Sequence, residues 1–381
     1  MTKQQFLPYG RQEIDDVDVR AVVDALRHPL ITQGPRVAEF EAAVAAHLGA
    51  RHVIAVSSGT AALHCAAFAA GVGPGDEVLV PSMTFAASAN CARFLGADVQ
   101  FVDLDRATLN MDAAAAAAAA GPRTRAIIPV SFAGLPIDLG PLLEIERRPV
   151  IIEDGCHALG GHRDGVAVGG HGGADITCFS LHPVKAMTSG EGGLAVTQDD
   201  ELARRMRMFR THGITKEATH PEPWEGDWFY EMQALGFNYR ITDVLCALGR
   251  SQLSRLAGWI DRRNLVAAAY RMALADVTGL ELPPVAPIGD LHAYHLFVVR
   301  VLEGRERRRE IFDGLRAAGI GVQVHYIPVY RLPYYRDTVA AAQHACPETE
   351  RYYEQCISLP MFPGMDDDDV QRVVTTLRQL L

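Results

Sequence analysis

The stretch ITCFSLHPVKAMTSGEGGLAVT, residues 176–197, sets two short apolar runs around one lysine and a glycine-rich turn. The flanking runs, 176–181 and 193–197, show little alternation of apolar and polar residues. Strands of that kind are buried on both faces, as in a mainly parallel sheet covered by helices. Most lysines are solvated surface charges, so Lys185 is out of place between them. The glycines of residues 190–193 give the backbone the freedom to turn. A lysine held near the carboxyl end of a sheet loses hydration, which lowers its pKa. The deprotonated amine can then form a Schiff base.

The same pattern continues upstream. HVIAV (52–56), EVLVP (77–81), VQFVD (99–103), AIIPV (126–130) and PVIIE (149–153) read as further strands, with helical stretches at 61–70 and 112–120 between the early ones. This predicts an α/β large domain with a mainly parallel seven-stranded sheet. After about residue 200 the pattern changes. Long amphipathic helices broken near Gly249–Ser251 lead to a strand at 293–302, a helix at 308–320, a strand at 321–329 and a last helix at 367–381. That last stretch begins acidic and ends basic, a charge order suited to a helix. The reading is a large domain over 1–254 and a smaller α+β domain over 255–381.

The 381 residues carry a net charge of −10 and no basic run that stands out, which argues against a nucleic-acid partner. No apolar run nears the ~20 residues of a membrane span, and the opening residues 1–16 lack the apolar core of a secretion signal. The alanine tract from Ala113 to Ala120 is too short to span and reads as a surface helix. Seven cysteines, an odd number with no CxxC spacing, predict buried free thiols in a reducing cytoplasm. They give no metal site.

Two more stretches bear on Lys185. In VIAVSSGTAALHCAAFAAG (53–71), Ser58, Gly59 and Thr60 lie where a helix leaves its first N–H groups free. Such a start can hold a phosphate, but these residues alone read as an ordinary cap. In PVIIEDGCHALGG, Asp154 follows a buried strand, where α/β sheets bind ligands. It reads equally as the cap of the next helix, and His157 reads alone as a structural residue. Together the three stretches supply what pyridoxal phosphate needs: a phosphate cradle, a carboxylate for the ring nitrogen and a lysine for the imine.

With LITQGPRVAEFE, SSGTAAL, PSMTFAASAN, EDGCHALG, FSLHPVKAMTSGEGG, RTHGI, GFNYRITDVLCALGRSQL and GIGVQVHYIP in that order, the chain resembles the DegT/DnrJ/EryC1/StrS family of sugar aminotransferases. The resemblance runs through nearly its whole length and implies the fold-type I architecture. WFYEMQALGFNYR, VHYIPVY and ISLPMFPGM are most similar to the branch that aminates C4 in pseudaminic acid synthesis. Gly59 departs from that branch, which often has alanine there, and keeps the wider family's residue.

The resemblance implies a role for each matching position. Lys185 would bind the cofactor and move protons, Asp154 would pair with the pyridinium nitrogen, and Phe85 would stack on the ring. His157 would meet the ring's phenolic edge or the substrate. Gly59, Thr60, Ala61 and Ser180 would hold the phosphate, with Asn238 reaching it from a second subunit of a homodimer. The sugar nucleotide would lie over Tyr9, Leu30, Ile31, Thr32, Ser58, Ser180, Asn238, His325, Tyr326, Ile327 and Pro328. Arg240 would take the donor carboxylate or the diphosphate, a fork that a structural ion pair also explains. His182 reads as packing.

The implied reaction moves the amino group of glutamate to C4 of a UDP-linked 4-keto-6-deoxy-hexose. Three rivals share the fold. A sugar dehydratase would carry histidine in place of Lys185. A non-catalytic regulator would have lost Lys185 or Asp154. An amino-acid lyase would lack GFNYR and VHYIP.

Overall fold

The computed structural model describes residues 6–216, 226–339 and 346–381. Part of the opening stretch, residues 1–5, lies outside them. The strands of the main sheet are β1 (His52–Val56), β2 (Glu77–Pro81), β3 (Asp98–Val102), β4 (Thr124–Ile127), β5 (Val150–Asp154), β6 (Ile176–Ser180) and β7 (Gly193–Thr197). Their order is β1-β7-β6-β5-β4-β2-β3. All neighbours pair parallel except β7, which runs antiparallel to β1 and β6. The lysine-bearing segment is thus the return loop between two adjacent antiparallel strands. The four strands β3 to β6 stop short of their predicted ends or are shifted by a residue. β4 ends at Ile127, before Pro129, which has no N–H for a ladder.

The Gly59–Ala69 helix packs on this sheet with almost every residue buried. Its run of alanines favours the helix and lets its axis approach the strands closely. Ile54, Val56, Leu63, Val80, Ile152 and Cys178 fill the space between. The alanine tract forms a short helix, Ala113–Ala119, with Ala116 buried.

A second sheet has three antiparallel strands, Leu280–Glu281, Phe297–Val301 and Cys356–Leu359. Its core holds Tyr270, Phe297, Ile311, Leu315, Ile357 and Val373, and also Leu7 from the start of the chain. The Leu256–Leu274 helix serves both cores. Leu256 and Ile260 pack with Phe40 and Leu194, whereas Val266, Tyr270 and Leu274 pack in the second core.

Two expectations are corrected. The long helical stretch runs unbroken through Gly249 and breaks instead at Ser254–Arg255, between Asp243–Leu253 and Leu256–Leu274. Gly249 is a glycine for packing: a Cβ there would lie 2.8 Å from the Phe40 ring. The segment 321–329 is extended, but beyond Gly321 its ladder contact is the lone pairing of Gln323 with Ser358. It ends in a 3₁₀ turn at Val329–Arg331.

The seven cysteines are all unpaired, six of them buried and Cys156 half-buried. Among the described residues there is no cluster suited to a metal ion, and no helix is long and apolar enough to cross a membrane.

Candidate active site

The cradle forms where β1 runs into the Gly59–Ala69 helix. Ser58 is the N-cap, and its Oγ accepts the Ala61 N–H at 3.1 Å. Gly59 and Thr60, at the first helical positions, therefore have N–H groups free of intrahelical acceptors at the positive end of the helix dipole. An anionic phosphate suits that position. Ala61 differs from its expected role, because its N–H is already given to Ser58.

Two close approaches shape the cradle. A Cβ on Gly59 would lie 2.9 Å from Ser180 Cβ, and one on Gly193 would lie 2.2 Å from the Ser58 carbonyl oxygen. Both positions need glycine because β6 and the start of β7 press on the cradle backbone.

Asp154 closes β5 and is buried. Its Oδ2 accepts the Ser88 hydroxyl at 2.7 Å, and its Oδ1 accepts the Cys156 N–H at 3.1 Å. Ser88 Oγ also lies 2.8 Å from Thr84 Oγ1. Two donors from different elements fix the carboxylate's direction.

Lys185 is half-buried, and its N–H bonds back to the His182 carbonyl at 2.9 Å. Loss of hydration around the amine pulls its pKa below the ordinary lysine value, against weaker opposing pulls from Cys156 and Asp154. Cys156 shares the site. Burial first, then the Asp154 charge, push its thiol well above the usual range. It therefore stays a protonated spectator.

His157 lies opposite. The Ala133 N–H donates to its Nδ1 at 3.2 Å, and its Nε2 lies 3.2 Å from the Tyr326 hydroxyl. An accepting Nδ1 puts the proton on Nε2, which then donates to Tyr326. Burial, then the Lys185 charge, hold His157 well below the usual histidine range, so it is neutral. The His325 Nδ1 lies 2.8 Å from Ser358 Oγ, and burial brings that histidine down to about 4.

These groups open into one cavity of about 620 Å³. Of the expected site residues it gathers Tyr9, Ser58, Gly59, Thr60, Phe85, Asp154, His157, Ser180, Lys185, His325 and Tyr326. Phe85 is 60 % exposed, with its ring centroid 6.1 Å from that of Tyr326. Others fall outside its lining. Leu30, Ile31 and Thr32 are exposed at the surface, where the Ile31 carbonyl accepts the Asp243 N–H. Asn238 is exposed and bridges Thr211, while Arg240 bridges Val56 through its backbone. Ile327, about half exposed, and Pro328, the cap of the 3₁₀ turn, are not in the lining. His182 corrects its reading as packing: it is exposed and lines the cavity. The cavity also draws in Glu191 and Gln323, which lie inside quoted motifs but were given no role, and His295, which no motif marks. The signal available for Glu191 was its place inside the glycine turn.

A phosphate cradle, a strand-end carboxylate and a desolvated lysine in one cavity define a fold-type I enzyme that works with pyridoxal phosphate. The chain belongs to the DegT/DnrJ/EryC1/StrS aminotransferase family, whose pattern matches residues 12–378. It is 36 % identical to the spore coat polysaccharide biosynthesis protein SpsC of Bacillus subtilis (strain 168), over 100 % of this chain and 98 % of that one. Two solved structures are close to it. Helicobacter pylori PseC, an aminotransferase involved in the biosynthesis of pseudoaminic acid, superposes with a TM-score of 0.90 at 26 % identity, covering 99 % of each chain. Spr1654 of Streptococcus pneumoniae, solved with the cofactor in its PLP form, gives 0.90 at 28 % identity, covering 99 % of this chain and 100 % of that one. The protein is thus a sugar aminotransferase that uses pyridoxal phosphate.

Proposed function

We propose that the protein transfers the amino group of glutamate to C4 of a UDP-linked 4-keto-6-deoxy-hexose, the step found in pseudaminic acid synthesis. The observation that carries the aminotransfer is the meeting of Lys185, Asp154 and the start of the Gly59 helix in one cavity. Likeness to PseC over the whole chain supports the sugar and the position.

Each residue has a part in this reading. Gly59 and Thr60 hold the phosphate through their N–H groups, with Ser180 beside them. Asp154 keeps a proton on the ring nitrogen. When bound, pyridoxal phosphate supplies an electron sink for the carbon that loses a proton. Lys185, whose poor hydration favours the neutral amine, takes that proton and returns it. The His157 Nε2–H donates a hydrogen bond to the Tyr326 hydroxyl oxygen, which fixes that hydroxyl at the cavity wall. Phe85 and Tyr326 wall the ring, and Tyr9 with His325 takes the sugar side. The division at 254–255 into a cofactor-holding unit and a second unit belongs to the same proposal, as does a cytoplasmic location.

The site residues Asn238, Arg240 and Leu30–Thr32 are assigned to a site completed by a second copy of the chain. Near Asn238, Trp228 and Leu235 are 74 % and 82 % exposed, and Leu30 and Ile31 are about half exposed. Apolar surface of that extent calls for a cover.

A second reading is amination of another UDP- or dTDP-keto-sugar at C3 or C4. The 36 % identity to SpsC, a protein of polysaccharide biosynthesis, exceeds the 26 % to PseC, so likeness to PseC does not single out one sugar. A non-catalytic role is disfavoured because Lys185 and Asp154 are both present. The test offers glutamate with the keto-sugar that a dehydratase makes from UDP-N-acetylglucosamine, and follows the product by NMR. An amine at C4 of that sugar supports the first reading. Turnover of a different keto-sugar alone supports the second.

A further inference from the structure

His295 belongs to no motif that marks the site, yet its ring packs against His157 with centroids 4.4 Å apart and planes 37° from each other. It is 5 % exposed, lines the cavity, and its buried Nδ1 has no hydrogen-bond partner among the described residues. A buried polar atom left unpaired costs stability, so an apolar side chain would pack there at lower cost. Its place is nevertheless held tightly. Arg263, fully buried, donates to the carbonyls of Tyr294 and Met361 at 3.1 and 2.9 Å and reaches that of His295 at 3.5 Å.

The loop beneath His157 is tied to the same segment. The Ala133 N–H donates to His157, its carbonyl oxygen accepts the Leu296 N–H at 3.2 Å, and the Gly134 carbonyl accepts the Ala293 N–H at 2.9 Å. Ala133 adopts φ 56° and Tyr294 φ 43°, left-handed conformations that cost energy for residues with a Cβ. The bonds Ala133–Leu296 and Gly134–Ala293 hold the two strained segments side by side, and the two imidazoles pack between them.

We propose that His295 is a positioning residue for the aminotransfer: its flat ring holds the His157 imidazole in the plane that meets both the Ala133 N–H and the Tyr326 hydroxyl. This rests on the aminotransferase reading above, with His157 and Tyr326 at the reacting side of the cavity. A branched aliphatic side chain in its place leaves the His157 ring free to tilt, and small misplacements of a reacting group are costly in rate.

The test is a double-mutant cycle on the cofactor-loaded protein with His295→Leu and His157→Asn. His295→Leu is expected to lower kcat by about ten-fold or more, with KM for glutamate within about three-fold. It is also expected to change the visible circular dichroism of the bound cofactor, which a role in folding alone would not move. His295→Phe, which keeps a flat ring, should return both to near the wild-type values. In the His157→Asn background, His295→Leu should cost nothing further. Wild-type kcat and dichroism in His295→Leu, or the same fold-loss with and without His157, overturns the proposal. Should His295→Leu not fold, His295→Asn takes its place in the cycle, with the same result expected and the same result overturning the proposal. A wild-type protein that binds the cofactor but moves no amino group removes the functional reading itself. An active wild type with an additive cycle removes only the role of His295.

Discussion

Gly193 and Ser58 meet backbone to backbone: a Cβ on Gly193 would stand 2.2 Å from the Ser58 carbonyl oxygen and 2.8 Å from the Gly59 nitrogen. The turn that follows Lys185 and the start of the phosphate cradle are thus one packed unit. Val56 pairs with Gly193 across β1 and β7, so the sheet itself brings them together.

Gly193→Ala is therefore expected to push the cradle off the sheet. The overpacking should destabilise the fold by about 1–3 kcal/mol and weaken cofactor binding by at least ten-fold, about 1.4 kcal/mol. Titration of the apoprotein with pyridoxal phosphate measures it. Wild-type affinity in this variant would show that the contact does not shape the cradle.

Asp154→Asn keeps the shape and the Ser88 contact but removes the charge. Loss of one fixed electrostatic partner typically costs about 10²–10³ in kcat. The expected result is a loss of that order with an unchanged melting temperature, read by steady-state kinetics and calorimetry. A loss under three-fold would remove Asp154 from the chemistry.

Buried histidines set the acid limit of stability. Burial depresses His64 to about 4, His292 to about 3 and His325 to about 4, all from an ordinary 6.5. Between those values the unfolded chain binds protons that the folded chain does not. Stability therefore rises with pH across this window and falls as pH drops from about 6.5 toward 4. Denaturant midpoints at pH 7.5, 6 and 5 should decline in that order. A flat series down to pH 5 would contradict the burial of these rings.

Gly249→Ala pits two effects against each other. Alanine gains about 1 kcal/mol of helix propensity over glycine. Its Cβ would also stand 2.8 Å from Phe40, a ring with no exposed surface. Overpacking of that kind costs about 1–3 kcal/mol. Net destabilisation in urea unfolding is expected, and a more stable variant would show that Phe40 has room to move.

The sheet was legible because its strands are short, apolar and evenly spaced, and β1, β2 and β7 match their predicted spans. Ser58, Asp154 and Lys185 were each ambiguous alone, and became legible as a site only in combination, because all three follow apolar strands. Gly249 misled because a glycine in a helix reads as a break, and only its contact with Phe40 reveals the reason. His295 was hidden in AYHLFVVRV, where a lone histidine in an apolar run reads as core. Its partner His157 lies far away in sequence, and no local pattern records that contact. Asn238 and Leu30–Thr32 are exposed, and the sequence alone does not show what would cover them.

The central claim is that Lys185 carries the cofactor. The chain offers few alternatives, since its lysines are Lys3, Lys185 and Lys216. Borohydride reduction of the cofactor-loaded protein, followed by digestion and mass spectrometry, identifies the lysine that holds it. The expected result is a pyridoxyl group on the peptide containing Lys185, with no such label and no aminotransfer in Lys185→Ala. A label on Lys3 or Lys216, or full aminotransfer by Lys185→Ala, would contradict the account.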